Sequence, residues 1–206
     1  MTDYVGITLR RNRGWPWPEN SWGLTPMFGA DGWCHACGVP RHEQTGSIIL
    51  QRSGLVTLAG GWVPYWQYDV YCLEASLAAE AAARFGVELR PVEWPRSPAG
   101  EVKQIVIRST ADPWFDPSEL AERISRVHGE ASETCEDCGI TRWLPVGMGD
   151  LPGPPPTTFA GDPAVVACPE WFGAGARSFR QILWRRDLAD FLVAASPKDF
   201  TIQDVG

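Results

Sequence analysis

The chain has 206 residues, 44% of them apolar and 21% charged, which excludes wholesale disorder and leaves room for one domain or two small ones. Its 25 acidic and 18 basic residues give a net charge of −7, the wrong sign for a protein that lives on phosphate contacts. The N-terminal stretch has no apolar run of signal-peptide length, and the longest charge-free stretch, residues 53–68, is broken by Gly60, Gly61 and Pro64, so a cytoplasmic protein that does not enter a membrane is expected.

Residues 3–11 alternate enough to form a strand, with Val5, Ile7 and Leu9 on one face. Residues 12–33 are rich in Trp, Pro and Gly and predict irregular structure. Residues 47–58 read as short β segments around Ile48, Leu50, Val56 and Leu58, followed by an aromatic stretch at Trp62, Tyr65, Trp66, Tyr68 and Tyr71. Residues 73–85 predict a helix with Leu73, Leu77, Ala81 and Phe85 on one side and Gly86 as its stop. Residues 87–94 and 103–109 read as two strands joined by a turn-rich segment. A second helix opens at Asp116-Pro117, with Asp116 suited to the N-cap, Pro117 to the first turn, and Leu120, Ile124 and Val127 at apolar spacing. Residues 145–163 form the weakest stretch for regular structure and read as a surface loop. A strand over 164–168, a helix over 187–195 and a strand over 200–205 complete the chain. The expected fold is α+β: a mixed or antiparallel sheet, two or three short helices and long Trp/Pro/Gly-rich loops. It is read as a single domain over 1–206, with 145–163 as the place where a subdivision would fall.

Four of the six cysteines sit in two CxxCG units, Cys34/Cys37 with Gly38 and Cys135/Cys138 with Gly139. Two thiolates two residues apart can face one metal, and Gly relieves the tight turn that follows the second. Two such halves supply the closed, four-thiolate coordination of a structural zinc ion, one per chain, and leave no open position for Lewis-acid catalysis. The halves lie about a hundred residues apart, where compact zinc ribbons keep them ~15–20 apart. A shared metal therefore clips the first third of the chain to the last third. An iron–sulfur cluster and a redox pair are the competing readings, and His35 or His42 could replace a cysteine ligand. Cys168 reads as a small buried residue, and Cys72, at the start of the predicted helix, has no His or Asn nearby to make it a nucleophile.

The 11 tryptophans admit three readings. Trp15, Trp17 and Trp22, or Trp62, Tyr65 and Trp66, could stack on sugars or bases, or form a protein-binding surface. The favoured reading is that they fill a core built from irregular loops. Asp112 and Asp116 could pair as acid and base, but a helix cap accounts for Asp116 without chemistry. Glu136 and Asp137 read as exposed turn residues. No phosphate-binding loop, dinucleotide fingerprint, HExxH or GxSxG motif is present, which speaks against an enzyme.

The widely separated CxxCG pair in a chain of this size resembles the bacterial double-CxxCG-motif protein family, known as myxobacterial paralogues that include toxin-neutralising immunity proteins. The resemblance covers the overall order of elements. It implies Cys34, Cys37, Cys135 and Cys138 as metal ligands and Gly38 and Gly139 as turn residues. The residues 15–22 and 170–173 lie outside it. Function is accordingly expected to be protein–protein interaction, with a cognate toxin as candidate partner for an acidic surface. An enzyme or biosynthetic accessory protein, with a pocket in the Trp-rich loops gathering His35, His42 or His128, is the first alternative. A nucleic-acid-binding zinc protein with a basic stripe at Arg10, Arg11, Arg13, Arg185 and Arg186 is the second.

Overall fold

A computed structural model describes residues 3–53, 55 and 57–205. In chain order the strands are β1 Tyr4–Leu9, β2 Trp15–Pro16, β3 Leu50–Gln51, β4 Gly61–Trp62, β5 Tyr71–Glu74, β6 Leu89–Pro91, β7 Val102–Ile105, β8 Ser132–Thr134, β9 Thr141–Trp143, β10 Val165–Ala167, β11 Trp171–Phe172, β12 Ile182–Arg185 and β13 Phe200–Asp204. The helices are α1 Leu24–Phe28, α2 Ala75–Phe85, α3 Pro117–His128 and α4 Arg186–Ala195. The architecture is α+β, and among the described residues no helix is long and apolar enough to cross a membrane.

The strands divide among several small sheets. One is antiparallel in the order β10-β12-β1-β13, so the two ends of the chain lie side by side, Leu9 opposite Phe200 and Val5 opposite Asp204. A second is antiparallel in the order β4-β5-β7-β6. A third, β11-β9-β8, contains a parallel pair, β9 with β11. Strands β2 and β3 form a two-stranded ribbon.

Period-two alternation sorts the side chains into three cores. On the first sheet, Val5, Ile182 and Trp184 face one side, where they meet α2 and α4 through Leu77, Ala78, Leu188 and Leu192. Tyr4 and Leu183 face the other side, where they meet Leu120 and Ile124 of α3 together with Trp114, Phe115 and Phe172. On the second sheet, Tyr71 and Leu73 point into the first core, while Cys72 and Val102 point into a third built on Met27, Ile48, Leu50, Trp62 and Trp94. These two sheets thus bury side chains on both faces, which is why strands such as β5 and β12 read as short apolar runs.

Helix α3 begins as its sequence dictates. Pro117 fills the first position, and the Asp116 carboxylate accepts from the backbone N–H groups of Ser118 and Glu119, both at 3.0 Å. Gly129 ends it in the left-handed region at φ 82°.

Several expectations are corrected. Leu73 belongs to β5, and its helix starts at Ala75, because the chain pairs with β7 up to Glu74 before it turns. Cys72 is therefore mid-strand and fully buried, not at a helix N-terminus. Val127 is 62% exposed, because only the first two turns of α3 reach the core. Residues 12–33, expected to be irregular, contain α1 and β2. Of the β segments expected over 47–58, β3 alone forms a strand among the described residues, and Val56 lies outside them. Within 145–163, Leu151 and Thr158 are buried, Phe159 stacks on Tyr4 at 4.3 Å, and the Tyr4 hydroxyl donates to the Pro163 carbonyl at 2.7 Å. That segment is a packed part of the second core as well as a loop. Burial and the nearby Asp162 push the Tyr4 hydroxyl pKa up to about 12.

Candidate metal centre

The two CxxCG units have the same backbone. In the first, the Cys34 N–H donates to Val39 O at 2.8 Å and the Gly38 N–H to Cys34 O at 2.7 Å. In the second, which joins β8 to β9, the Cys135 N–H donates to Ile140 O at 3.0 Å and the Gly139 N–H to Cys135 O at 2.9 Å. Both glycines are left-handed, Gly38 at φ 75° and Gly139 at φ 72°, a region costly to other residues. Gly38 is required a second time. A Cβ there would fall 2.5 Å from the backbone carbon of Gly175, whereas at Gly139 it would meet open space.

The four sulfurs converge. The Sγ atoms of Cys34, Cys37, Cys135 and Cys138 all lie within 4.8 Å of one another. The contacts between units are 3.8 Å for Cys34 with Cys135 and 3.7 Å for Cys37 with Cys138. A tetrahedron with metal–sulfur bonds of ~2.3 Å has an edge of ~3.8 Å, so these two contacts have the spacing that a bound zinc ion requires. Cys34, Cys37 and Cys135 are buried, Cys138 is partly buried, and Val39, Ile140 and Trp171 pack around them.

The protein environment treats the thiols unequally. Backbone N–H groups of Cys37 and Ala36 pointing at the sulfur hold the Cys34 pKa down to about 6. Burial pushes Cys37 up to about 12 and also raises Cys138.

Neither neighbouring histidine joins the cluster. His35 lies against the Trp33 ring and its Nε2–H donates to Ala30 O at 2.8 Å, while His42 Nδ1–H donates to Glu43 O at 2.9 Å. His128 donates to Pro145 O, so the three histidines are not gathered in one pocket. The remaining cysteines are packing residues. Burial raises the thiol pKa of Cys72 and of Cys168, and the Cys168 sulfur accepts from the Gln181 N–H at 3.2 Å and donates to Glu170 O at 3.3 Å. Asp116 is occupied by its helix cap, and Glu136 and Asp137 are exposed in their turn.

The basic runs are neutralised. Arg11 forms a two-pronged pair with Asp199 at 2.7 and 3.0 Å, and Arg13 reaches the same buried carboxylate at 3.0 Å. Arg185 pairs with Asp162 and Asp187, and Arg186 with Asp3 and Asp204. Four of the five arginines of the expected basic stripe are therefore engaged by carboxylates.

The tryptophans divide. Trp33, Trp62, Trp94, Trp114 and Trp184 are core residues, as the favoured reading expects. Trp15 and Tyr65 are not: each is 37% exposed, and their rings stack at 4.2 Å and 10°. Trp66 meets Trp15 edge-on at 5.1 Å and Trp22 at 4.9 Å. Ser21, Trp22 and Trp66 carry left-handed φ values of 53°, 55° and 68°. Such geometry costs bulky residues ~1–3 kcal/mol each. The buried Gln67 amide, donating to Trp22 O at 2.8 Å, ties the two strained segments together.

Comparison with known proteins returns no match: no family model, no curated protein and no solved structure is similar to this chain.

Proposed function

We propose that Cys34, Cys37, Cys135 and Cys138 bind one structural zinc ion per chain, and that the protein acts by binding another protein. The observation that carries the metal reading is the convergence of four sulfurs, two contacts of which match a tetrahedral zinc–thiolate edge. Four soft donors fill the coordination sphere, so the metal's work is to hold the fold. Iron is the competing ion for the same donors, and elemental analysis of protein purified without added metal separates the two.

The interaction reading draws on the Trp15–Tyr65 surface. Aromatic residues dominate the energetics of protein interfaces, and here Trp15 and Tyr65 are partly exposed and stacked on each other, with Trp66, itself on strained backbone, edge-on to Trp15. With a net charge of −7 and its basic runs already paired, the chain suits a basic protein partner better than nucleic acid. The resemblance to the double-CxxCG proteins names a candidate class, a co-encoded toxin. The test is direct binding and inhibition with the purified product of the neighbouring gene, using the intact chain and a Trp15→Ala/Tyr65→Ala variant. Binding by the intact chain that the variant loses supports the proposal. Absence of binding, or binding indifferent to the variant, removes it.

A further inference from the structure

The four clustered thiols differ in how solvent reaches them. Cys34, Cys37 and Cys135 are buried, while Cys138 is partly exposed. An oxidant arriving from solvent therefore meets Cys138 first. The sulfur in contact with it, at 3.7 Å, belongs to Cys37 of the other CxxCG unit. The second contact also joins the units, Cys34 with Cys135 at 3.8 Å.

A disulfide closes such a contact to ~2.0 Å. Within the second unit, a Cys135–Cys138 bond would have to close inside a turn fixed by two backbone hydrogen bonds, Cys135 N–H to Ile140 O and Gly139 N–H to Cys135 O. Between units, a Cys37–Cys138 bond draws together two turns that already pack on each other through Val39 and Ile140.

We infer that Cys37 and Cys138 are an oxidative modification site, a dithiol that a hydroperoxide converts to a disulfide between the two CxxCG units. The Cys138 thiolate attacks one peroxide oxygen, the O–O bond breaks, and Cys138 becomes a sulfenic acid as hydroxide leaves. The Cys37 thiolate then attacks the Cys138 sulfur, the S–S bond forms, and a second hydroxide leaves. The two thiolates lose two electrons and the peroxide gains them. Cys34 and Cys135 follow by the same route with a second peroxide, more slowly because both are buried.

The bond joins residues 101 positions apart, the same span that a metal shared by the two units would clip. Oxidation thus takes two of the four donors and returns a covalent clip in their place, which a thiol reductant reverses. The disulfide stands on the sulfur geometry alone; only the release of metal rests on the zinc reading.

The experiment treats the full-length protein, purified without added metal, with graded hydrogen peroxide. Free thiols are then alkylated, disulfides are mapped by mass spectrometry, and a chromogenic indicator reads released zinc. The first product is expected to be the Cys37–Cys138 disulfide, reversed by dithiothreitol, with Cys72 and Cys168 still alkylated. One zinc should leave for each such bond, and the oxidised protein should melt ~6 °C or more above reduced, chelated protein. A first disulfide within either CxxCG unit, first oxidation at Cys72 or Cys168, or sulfinic acid at Cys138 without a disulfide each overturns the inference, as does a cluster inert to peroxide. Zinc-free protein that still forms the Cys37–Cys138 bond supports it while removing the metal reading. All of these are read in the unsubstituted chain, so the test does not depend on a cysteine variant folding.

Discussion

The Cys34 sulfur lies 3.8 Å from the Cys135 sulfur, across 101 positions of sequence. A hairpin-sized turn in the first third of the chain is thereby held against a hairpin of the third sheet. A cross-link over a loop of about a hundred residues stabilises by ~4–5 kcal/mol in the chain-entropy description. A metal held by the four thiolates, as proposed, adds its coordination energy to this.

Replacing Cys34 or Cys138 with Ser should therefore destabilise the protein by ~3 kcal/mol or more, which for a chain of this size lowers the melting temperature by ~6–12 °C. Differential scanning calorimetry on metal-loaded wild type and variants measures it. Cys72→Ser is the control, since it lies in the third core away from the four-thiol cluster, and its cost should not change with chelator.

The two turn glycines should part company. At Gly139 only the left-handed backbone penalises a side chain, so Gly139→Ala should cost ~1–2 kcal/mol. At Gly38 the same substitution also drives a Cβ to 2.5 Å from Gly175, and should cost ~2 kcal/mol more. Urea unfolding of the two variants side by side checks the order. Equal costs would place Gly175 elsewhere.

Asp199 is the buried junction of the N-terminal arginines, only 3% exposed. Asp199→Ala leaves Arg13, itself largely buried, without its partner, and should cost ~3–5 kcal/mol. The additional Arg13→Met substitution should recover part of that loss, which equilibrium unfolding of the double variant would register.

Trp15→Ala and Tyr65→Ala should barely change stability, by under ~1 kcal/mol, because both rings are partly exposed. They should weaken binding to a protein partner by ~2 kcal/mol or more each, about thirtyfold, if that surface is the contact. A fall in melting temperature matched by unchanged binding would assign the stack to packing instead.

What was legible in the sequence is what is encoded locally. The CxxCG turns, the Asp116-Pro117 helix start and the Gly86 stop depend on residues within a few positions of one another, and all form as read. What was not legible depends on distant partners. Trp15 and Trp62 look alike in sequence, yet one stacks at the surface and the other is fully buried, because only the second faces the core beneath β3 and β7. Arg11 and Arg13 read as a basic run because Asp199, which neutralises them, is 188 positions from Arg11. Cys72 read as a helix start because the strong alanine signal of α2 masked a four-residue strand that pairing with β7 defines.

The most direct test of the central claim is elemental analysis with thiol titration on protein purified without added metal, followed by melting with and without a strong chelator. The proposed zinc site predicts one zinc per chain, four thiols that become titratable only after the metal leaves, and a melting temperature that falls by ~6 °C or more on chelation. Metal-free protein with all six thiols reduced, and a melting temperature that chelator does not move, would contradict it.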